Sequence, residues 1–558
     1  MAIRQAVRFD EAFDVVVLGS GAAGLTAATL AADGGASVLV LEKTALLGGT
    51  SGLSGGVLWI PNNDHMPDLG MTDSREEALD YLQQLTQGRV PDPALLETYV
   101  DTAAEMIRYL EDRTPLRMVA TRCYADYYAD LPGGKRQGRS IEVAPFDAPA
   151  ELGEWADRCR VSPYMPPLTL DEGGIAKILG GEFPMALLEA RQKAGVRAVG
   201  AALVASLVKG LLDRSVALRT GASARELVID DSGAVVGVRV ADDAGDRYIA
   251  ARQAVILATG GFECNGELAQ TFLPVPPLPM GAGGNEGDGL LMAMKAGAAL
   301  GNMNSAWWYP AMCDESLRYE GAPVYHLGMG RNMAGSLFVN RHGKRFTNEG
   351  AAYHDVGRSM HAFDPVTRDY PNAGPNWMIF DRKIKEQTAI MSALPAEAAP
   401  DWMPSAATLE ELAERIGLPV AALSQTVERF NADARLGKDS EFARGTCYAE
   451  NFLLGGPTPE TSLAPVEDPP FYAVRVYNAT LGTHGGPRID RHARVLDPQG
   501  GVIGGLYAAG NVSAAVFGAY YPGGGATLGP AMTFGYIAGR HAASCTARQL
   551  TAGLDAAG

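Results

Sequence analysis

Asp14-Val15-Val16-Val17-Leu18-Gly19-Ser20-Gly21-Ala22-Ala23-Gly24, a small-residue run through Ala32, then Ala36 to Leu41 and Glu42, form the stretch that decides the fold. Asp14 to Leu18 reads as a buried parallel strand, the small-residue run as a helix, and Ala36 to Leu41 as a second apolar strand. The chain therefore opens with a βαβ unit. Its three glycines have separate tasks. Gly19 permits a tight turn, Gly21 lets backbone amides approach a pyrophosphate, and Gly24 lets helix and strand pack closely. The helix start, with Ala22 and Ala23, presents partial positive charge to phosphates. Glu42 ends the second strand, where a carboxylate can accept from adenosine ribose hydroxyls. A G-x-G-x-x-G alone is a weak signal; between two strands, with an acid at this distance, it predicts dinucleotide binding.

The residues after Glu42 favour FAD over NAD. Lys43 leads to Gly48-Gly49-Thr50-Ser51 and Ser54-Gly55-Gly56, two small-residue clusters beside which a large planar cofactor can lie. Ala258-Thr259-Gly260-Gly261 and Gly287-Asp288-Gly289 add two more such places. Near the C-terminus, Gly510-Asn511 and Gly523-Gly524-Gly525-Ala526-Thr527-Leu528-Gly529-Pro530 open the last helix, whose dipole can face the flavin pyrimidine end.

The 558 residues are too many for one simple core. Helical patterning covers Glu76 to Gln87, Pro93 to Glu111, the region from Met185 and Ala201 to Leu212. Strands are predicted at Val216 to Arg219, Ala224 to Ile229, Val235 to Ala241, Ala254 to Ala258 and Leu506 to Ala509, with a helix from about Ala526 to Ala543. Between these regions the chain is richer in aromatics, Pro and Met, and its periodicity is poor. The fold class expected is α/β: a Rossmann-like dinucleotide domain from residues 1–305 and 476–558, with an α+β substrate domain, 306–475, inserted into it.

A net charge of -17 argues against nucleic acid as a partner. Six scattered cysteines without C-x-x-C spacing read as free thiols in a reducing cytoplasm. Eight histidines show no ligand spacing, so no metal is expected. No signal peptide is visible, and the apolar run from Val199 to Leu212 reads as a packed helix in preference to a membrane-surface one.

The glycine-rich segments resemble the fumarate reductase/succinate dehydrogenase flavoprotein superfamily over nearly the whole chain. Members that attach FAD covalently use a His in the segment matching Thr50 to Gly56. None stands there, so the resemblance implies non-covalent FAD. Asn340 to Glu349 matches a hairpin-like segment of the superfamily. Four residues on, at Tyr353, soluble fumarate reductases have a proton-donating arginine, and at Tyr521 a carboxylate-binding one. Arginine forks onto carboxylates, whereas a phenol suits a neutral carbonyl oxygen and can pass a proton.

That pattern is similar to the 3-ketosteroid dehydrogenases, especially the Δ1-dehydrogenases, with further matching segments at Tyr124 to Tyr127, Trp59 to Asn63, Leu481 to Gly486 and Gly505 to Ser513. The resemblance implies that the Tyr521 hydroxyl and the Gly525 N–H receive the substrate 3-keto oxygen. Tyr353 removes the C2 proton, Tyr127 supports Tyr353, and flavin N5 takes the C1 hydride, leaving a C1=C2 double bond. Tyr124 stands as an alternative to Tyr127. Tyr520 and His354 read mainly as packing, and His484 as structural or flavin-edge. An extra glycine follows Pro522, so the aim of the Gly525 N–H depends on how that loop is held.

Two relatives of this chemistry compete: a 3-ketosteroid Δ4-(5α)-dehydrogenase, and a fumarate-reductase-like enoate reductase in which Arg345 or Arg358 would serve. A non-catalytic flavin-binding subunit is a third reading, disfavoured by the tyrosines. The expected partners are a steroid substrate and an electron acceptor that the sequence does not name. Peripheral membrane contact is left open because steroids concentrate in lipid.

Overall fold

The computed structural model describes residues 7–550 apart from 123, 175–182, 243–244, 328, 396 and 451–458. The opening unit is a strand Glu11–Leu18, a helix Ala22–Asp33 and a strand Val38–Leu41. The two strands pair in parallel, Val15 opposite Val38 and Leu18 opposite Leu41. The chain crosses back to build an eight-stranded sheet. Beside Glu11–Leu18 lies Gly245–Leu257, then Val502–Ala508, both parallel to it in sense, with Arg494–Leu496 antiparallel at that edge. Ala217–Arg219 extends the other side. Val15 to Leu18 and Val38 to Leu41 are buried throughout, as parallel strands covered on both faces must be.

Gly245–Leu257 starts well before the expected Ala254. Its polar first half forms an antiparallel pair with Val235–Asp242, which pairs in turn with Ser223–Ile229. Only the last residues carry the apolar run that made the strand visible in sequence. The helix Val199–Leu212 is buried except at Lys209 and Leu212, so its uniform apolarity belongs to an internal helix. Among the described residues, no helix is long and apolar enough to cross a membrane.

The second sheet has seven strands. Ala322–Leu327, Ala306–Tyr319, Phe471–Thr483, Asn376–Asp381 and Ser336–Val339 lie in that order, and Leu278–Pro279 and Ser405–Ala406 also pair with Phe471–Thr483. Phe471–Thr483 runs straight through residues 475 and 476, where the sequence suggested a domain boundary, because Ala306–Tyr319 pairs with it up to Thr483. The poor periodicity of this region also has a cause. The first nine residues of Ala306–Tyr319 are all buried, so apolar and polar residues do not alternate.

The closing helix Leu528–Ser544 returns to cross Ala22–Asp33. Gly535 and Gly539 make this crossing close: a Cβ at 535 would lie 2.4 Å from the Ala23 carbonyl oxygen, and at 539 2.1 Å from that of Ala27. The contact puts residues from both ends of the chain around the glycine turn at Gly19 to Gly24. Gly539→Val should force the helices apart and cost about 3 kcal/mol. Denaturant titration with an unchanged m-value would check this.

Candidate active site

The two sheets meet over a cavity of ≈ 500 Å³. Its first half is built from the glycine turn. Gly19 has a φ of +102°, and a Cβ there would fall 2.3 Å from the Ala258 carbonyl oxygen; one at Gly24 would fall 2.1 Å from that of Gly19. These two positions admit no side chain, whereas a Cβ on Gly21 would meet nothing nearer than Ser51 Oγ at 3.5 Å, on the cavity side. The Ser51 hydroxyl accepts the Ala22 N–H at 3.0 Å.

Gly19, Gly21, Ala22, Ala23, Glu42, Lys43, Gly49, Thr50, Ser51, Ser54, Gly55 and Gly56 all line this cavity. So do Ala258, Thr259, Gly260, Asp288, Gly510, Asn511 and Leu528, whereas Gly24 and Ala526 stand behind the wall. Ala526 is buried, its N–H on Gly523 O at 3.1 Å. Glu42 accepts four hydrogen bonds, from Ser20 N and Oγ and from Thr44 N and Oγ1, so it orders the neighbouring loop as well as facing the cavity. Lys43 Nζ is held by Glu286 at 2.7 Å and Asp288 at 2.6 Å. Thr259 Oγ1 is buried without a hydrogen-bond partner, on the side of Gly289, where a Cβ would lie 2.3 Å from it.

The other half is aromatic. Tyr353, at the start of the short helix Tyr353–Ser359, and Tyr521, on the loop before the closing helix, both line the cavity. Their ring centroids are 5.2 Å apart. Tyr127 packs behind them, 5.1 Å from Tyr353 and 5.5 Å from Tyr521, and does not line the cavity. Tyr124 does line it. The sequence did not single out Tyr309, which lines the cavity 4.5 Å from Tyr353. Its only signal was the aromatic run Trp307-Trp308-Tyr309, whose burial on both faces of a strand gives no alternation to read.

Burial pushes the Tyr353 phenol well above its ordinary value, and hydrogen bonding with Tyr127 pulls the other way. The Tyr521 phenol is raised by burial too, against the hydroxyls of Thr527 and Tyr353. Tyr521 Oη lies 3.2 Å from Thr527 Oγ1. His354 and His484 stack at 5.5 Å outside the cavity lining. Burial drives His354 down to about 4 and His484 well below its ordinary value, so both are neutral.

The loop of extra glycine is held tightly. A Cβ would lie 2.6 Å from Trp59 at Gly523, 2.2 Å from Tyr124 at Gly524 and 2.5 Å from Leu58 C at Gly525. Ser140 Oγ donates to Gly524 O at 2.8 Å, and the Tyr127 N–H to Pro522 O at 3.0 Å. Gly525 lines the cavity, and its φ of +94° is one that glycine adopts without strain. Asp126, between Tyr124 and Tyr127, forms a bridge with Gly523, while its carboxylate accepts from Trp59 Nε1 at 2.7 Å and Arg139 Nη1 at 2.8 Å. Arg139 also pairs with Asp73 at 2.7 Å. Burial works against its charge, but these two carboxylates hold the guanidinium above its ordinary range.

Arg345 and Arg358 do not reach the cavity lining. Arg345 is locked to Glu349 and Asp439, and Arg358 is half-exposed beside Asp355. Among the described residues, no cluster of His, Cys, Asp or Glu could hold a metal. Cys159, Cys264, Cys313, Cys447 and Cys545 are free; Cys123 lies outside the described residues.

A parallel sheet whose glycine turn opens onto a cavity that ends in phenols belongs to a dinucleotide-dependent oxidoreductase. The profile of a family described as FAD binding domain matches residues 14–528, and the chain belongs to that family: it is an FAD-dependent oxidoreductase. It is 41% identical to 4-oxocyclohexanecarboxylate 2-dehydrogenase of Sinomonas cyclohexanicum, over 95% of this chain and 92% of that one. It is 38% identical to 3-oxosteroid 1-dehydrogenase of Mycobacterium tuberculosis (strain ATCC 25618 / H37Rv), over 95% of this chain and 98% of that one. The crystal structure of 3-ketosteroid delta1-dehydrogenase from Sterolibacterium denitrificans, in complex with 1,4-androstadiene-3,17-dione, superposes with a TM-score of 0.88 at 35% identity, covering 96% of this chain and 100% of that one.

Asp126→Ala should cost about 3 kcal/mol of stability, because Arg139 stays buried with one carboxylate in place of two. Thermal unfolding would measure the loss, and the flavin spectrum would report whether the loop at Gly523 has shifted.

Proposed function

We propose that this chain dehydrogenates a ring ketone of the 3-ketosteroid kind, introducing the C1=C2 double bond. The observation that carries this is the convergence of Tyr353, Tyr521 and Tyr127, with ring centroids 5.1–5.5 Å apart, the first two standing where a fumarate-reducing relative would place arginines. The relatives named for their substrates act on a 3-oxosteroid or on 4-oxocyclohexanecarboxylate, both ring ketones.

Each residue has a role in this proposal. The ketone oxygen accepts from the Tyr521 hydroxyl and the Gly525 N–H, and each such donor in a dry site contributes roughly 3 kcal/mol to enolate stabilisation. That polarisation acidifies the neighbouring C–H, whose proton passes to Tyr353 Oη. Tyr353 accepts this proton as the phenolate and becomes the neutral phenol; Tyr127 steadies that phenolate beforehand by hydrogen bonding from behind, and Tyr124 and Tyr309 close the wall around it. Bound FAD supplies a hydride acceptor. Gly19, Gly21 and the start of helix Ala22–Asp33 would hold its pyrophosphate, Glu42 its ribose, and the start of Leu528–Ser544 would face its pyrimidine end. Because no His stands between Thr50 and Gly56, we propose that FAD is held non-covalently. Acid precipitation should then release all of the yellow colour into the supernatant; colour in the pellet would refute that.

Anaerobic mixing of the yellow protein with 3-keto-4-ene steroids, simpler ring ketones and fumarate tests the reaction. The expected result is flavin bleaching by a ring ketone with a double bond formed beside the carbonyl. A 4-ene product from a saturated ketone would instead mark a Δ4-(5α)-dehydrogenase. Oxidation of pre-reduced protein by fumarate alone would discard the proposal in favour of an enoate reductase. Tyr353→Phe should bind the ketone yet slow flavin reduction about a thousandfold. The wild-type rate should rise with pH without a plateau below about pH 10, because burial raises the phenol that must lose its proton.

A further inference from the structure

Five arginines are buried among the described residues: Arg139, Arg160, Arg331, Arg345 and Arg444. Four of them have carboxylate partners. Arg139 pairs with Asp73 and Asp126, Arg160 with Glu320, Arg345 with Glu349 and Asp439, and Arg444 with Glu349. Arg331 pairs with none among the described residues. It is 5% exposed, its Nε has no partner, and its side chain's one hydrogen bond is a long one, from Nη2 to Ala351 O at 3.3 Å. A desolvated guanidinium without a counter-charge is unfavourable, and its planar fork of donors matches a carboxylate.

Arg331 lines the same cavity as the tyrosines. It sits on the short 3-10 turn Met329–Asn332, which is held by its neighbours. Ser336 Oγ donates to Met333 O at 2.8 Å, with the Gly330 and Arg331 carbonyl oxygens both 3.2 Å away, and Arg444 Nη2 donates to Met333 O at 2.8 Å. The positive charge of Arg331 is felt at two phenols of the wall. At Tyr309 and at Tyr124 it pulls against burial, which is the dominant influence and raises both. Tyr309 in turn packs on Tyr353. The unpaired charge is therefore near the reacting end of the cavity.

We propose that Arg331 is the seat of a carboxylate on the substrate, so that the ring ketone turned over here is an anion whose carboxylate pairs with this guanidinium while its ketone oxygen meets Tyr521 and Gly525. The proposal rests on the ring-ketone reading above and narrows it to keto acids. The phenols at 353 and 521 and the guanidinium at 331 then have complementary tasks. The phenols receive the neutral end of the substrate and the guanidinium its charged end. An uncharged polycyclic ketone would bury Arg331 further without compensating it.

The test uses the FAD-loaded protein and follows anaerobic flavin reduction by 4-oxocyclohexanecarboxylate, its methyl ester and androst-4-ene-3,17-dione. The acid should exceed the ester by about 100-fold in kcat/KM, with most of the difference in KM. Arg331→Met should collapse that preference toward unity, and Arg331→Lys should restore part of it. The wild-type comparison of acid with ester stands even if neither variant folds. Equal use of acid and ester, or a preference for the neutral steroid that Arg331→Met leaves unaltered, would overturn the carboxylate seat while leaving ring-ketone dehydrogenation intact. Failure of all three ketones to bleach the flavin would instead remove the ring-ketone reading, and the seat with it.

Discussion

The trio Asp73, Arg139 and Asp126 is the constraint from which the aromatic end of the cavity is built. Asp126 lies between Tyr124 and Tyr127 in the chain, its backbone pairs with Gly523, and its carboxylate joins Trp59 to Arg139. One residue thus ties together two segments almost four hundred positions apart. A buried pair of this kind contributes little net stability against an apolar replacement, but it is costly to break and it fixes one arrangement over others. The glycines at 523–525 are a consequence. With Trp59 and Tyr124 pinned, no side chain fits on the loop facing them.

The cofactor half works by a different physics. There the wall is backbone, and the requirement is close approach. Gly19 and Gly24 are glycine because carbonyl oxygens occupy the space a Cβ would need, and Gly535 and Gly539 are glycine so that the last helix can lie on the first. The cavity is therefore a seam between residues from both ends of the chain and the second sheet. A ligand there contacts residues from Leu18 to Ala531, which couples cofactor binding to completion of the fold.

The tyrosine cluster brings a tension that chemistry can use. Burial raises the phenols, so Tyr353 is a poor base when alone. The proposed ketone donors, Tyr521 and Gly525, and the phenol behind, Tyr127, act on opposite ends of the same proton transfer, one making the C–H more acidic and the other making the phenolate less costly. Arg331 adds a charge at the edge of this set. Its place in the cavity wall distinguishes it from Arg345, which the sequence put forward but which is spent on Glu349 and Asp439.

By itself the sequence determined the dinucleotide turn, the parallel strands beside it, FAD, and the positions 353 and 521 where phenols stand. These are local matters: glycine spacing, apolar runs and residue type are written within short windows. It also led to Tyr127, which the fold sets behind the cavity wall while Tyr124 faces it, a difference of three residues on an irregular loop with no period to follow. Only the tertiary structure decided that Phe471–Thr483 is one strand of the second sheet, that Tyr309 joins the cluster, and that Arg331, alone among the buried arginines described, has no carboxylate beside it. The reason is that a charge's partner, or its lack of one, is settled by elements far apart in the chain, and burial on both faces of a strand erases the alternation from which contacts could be read.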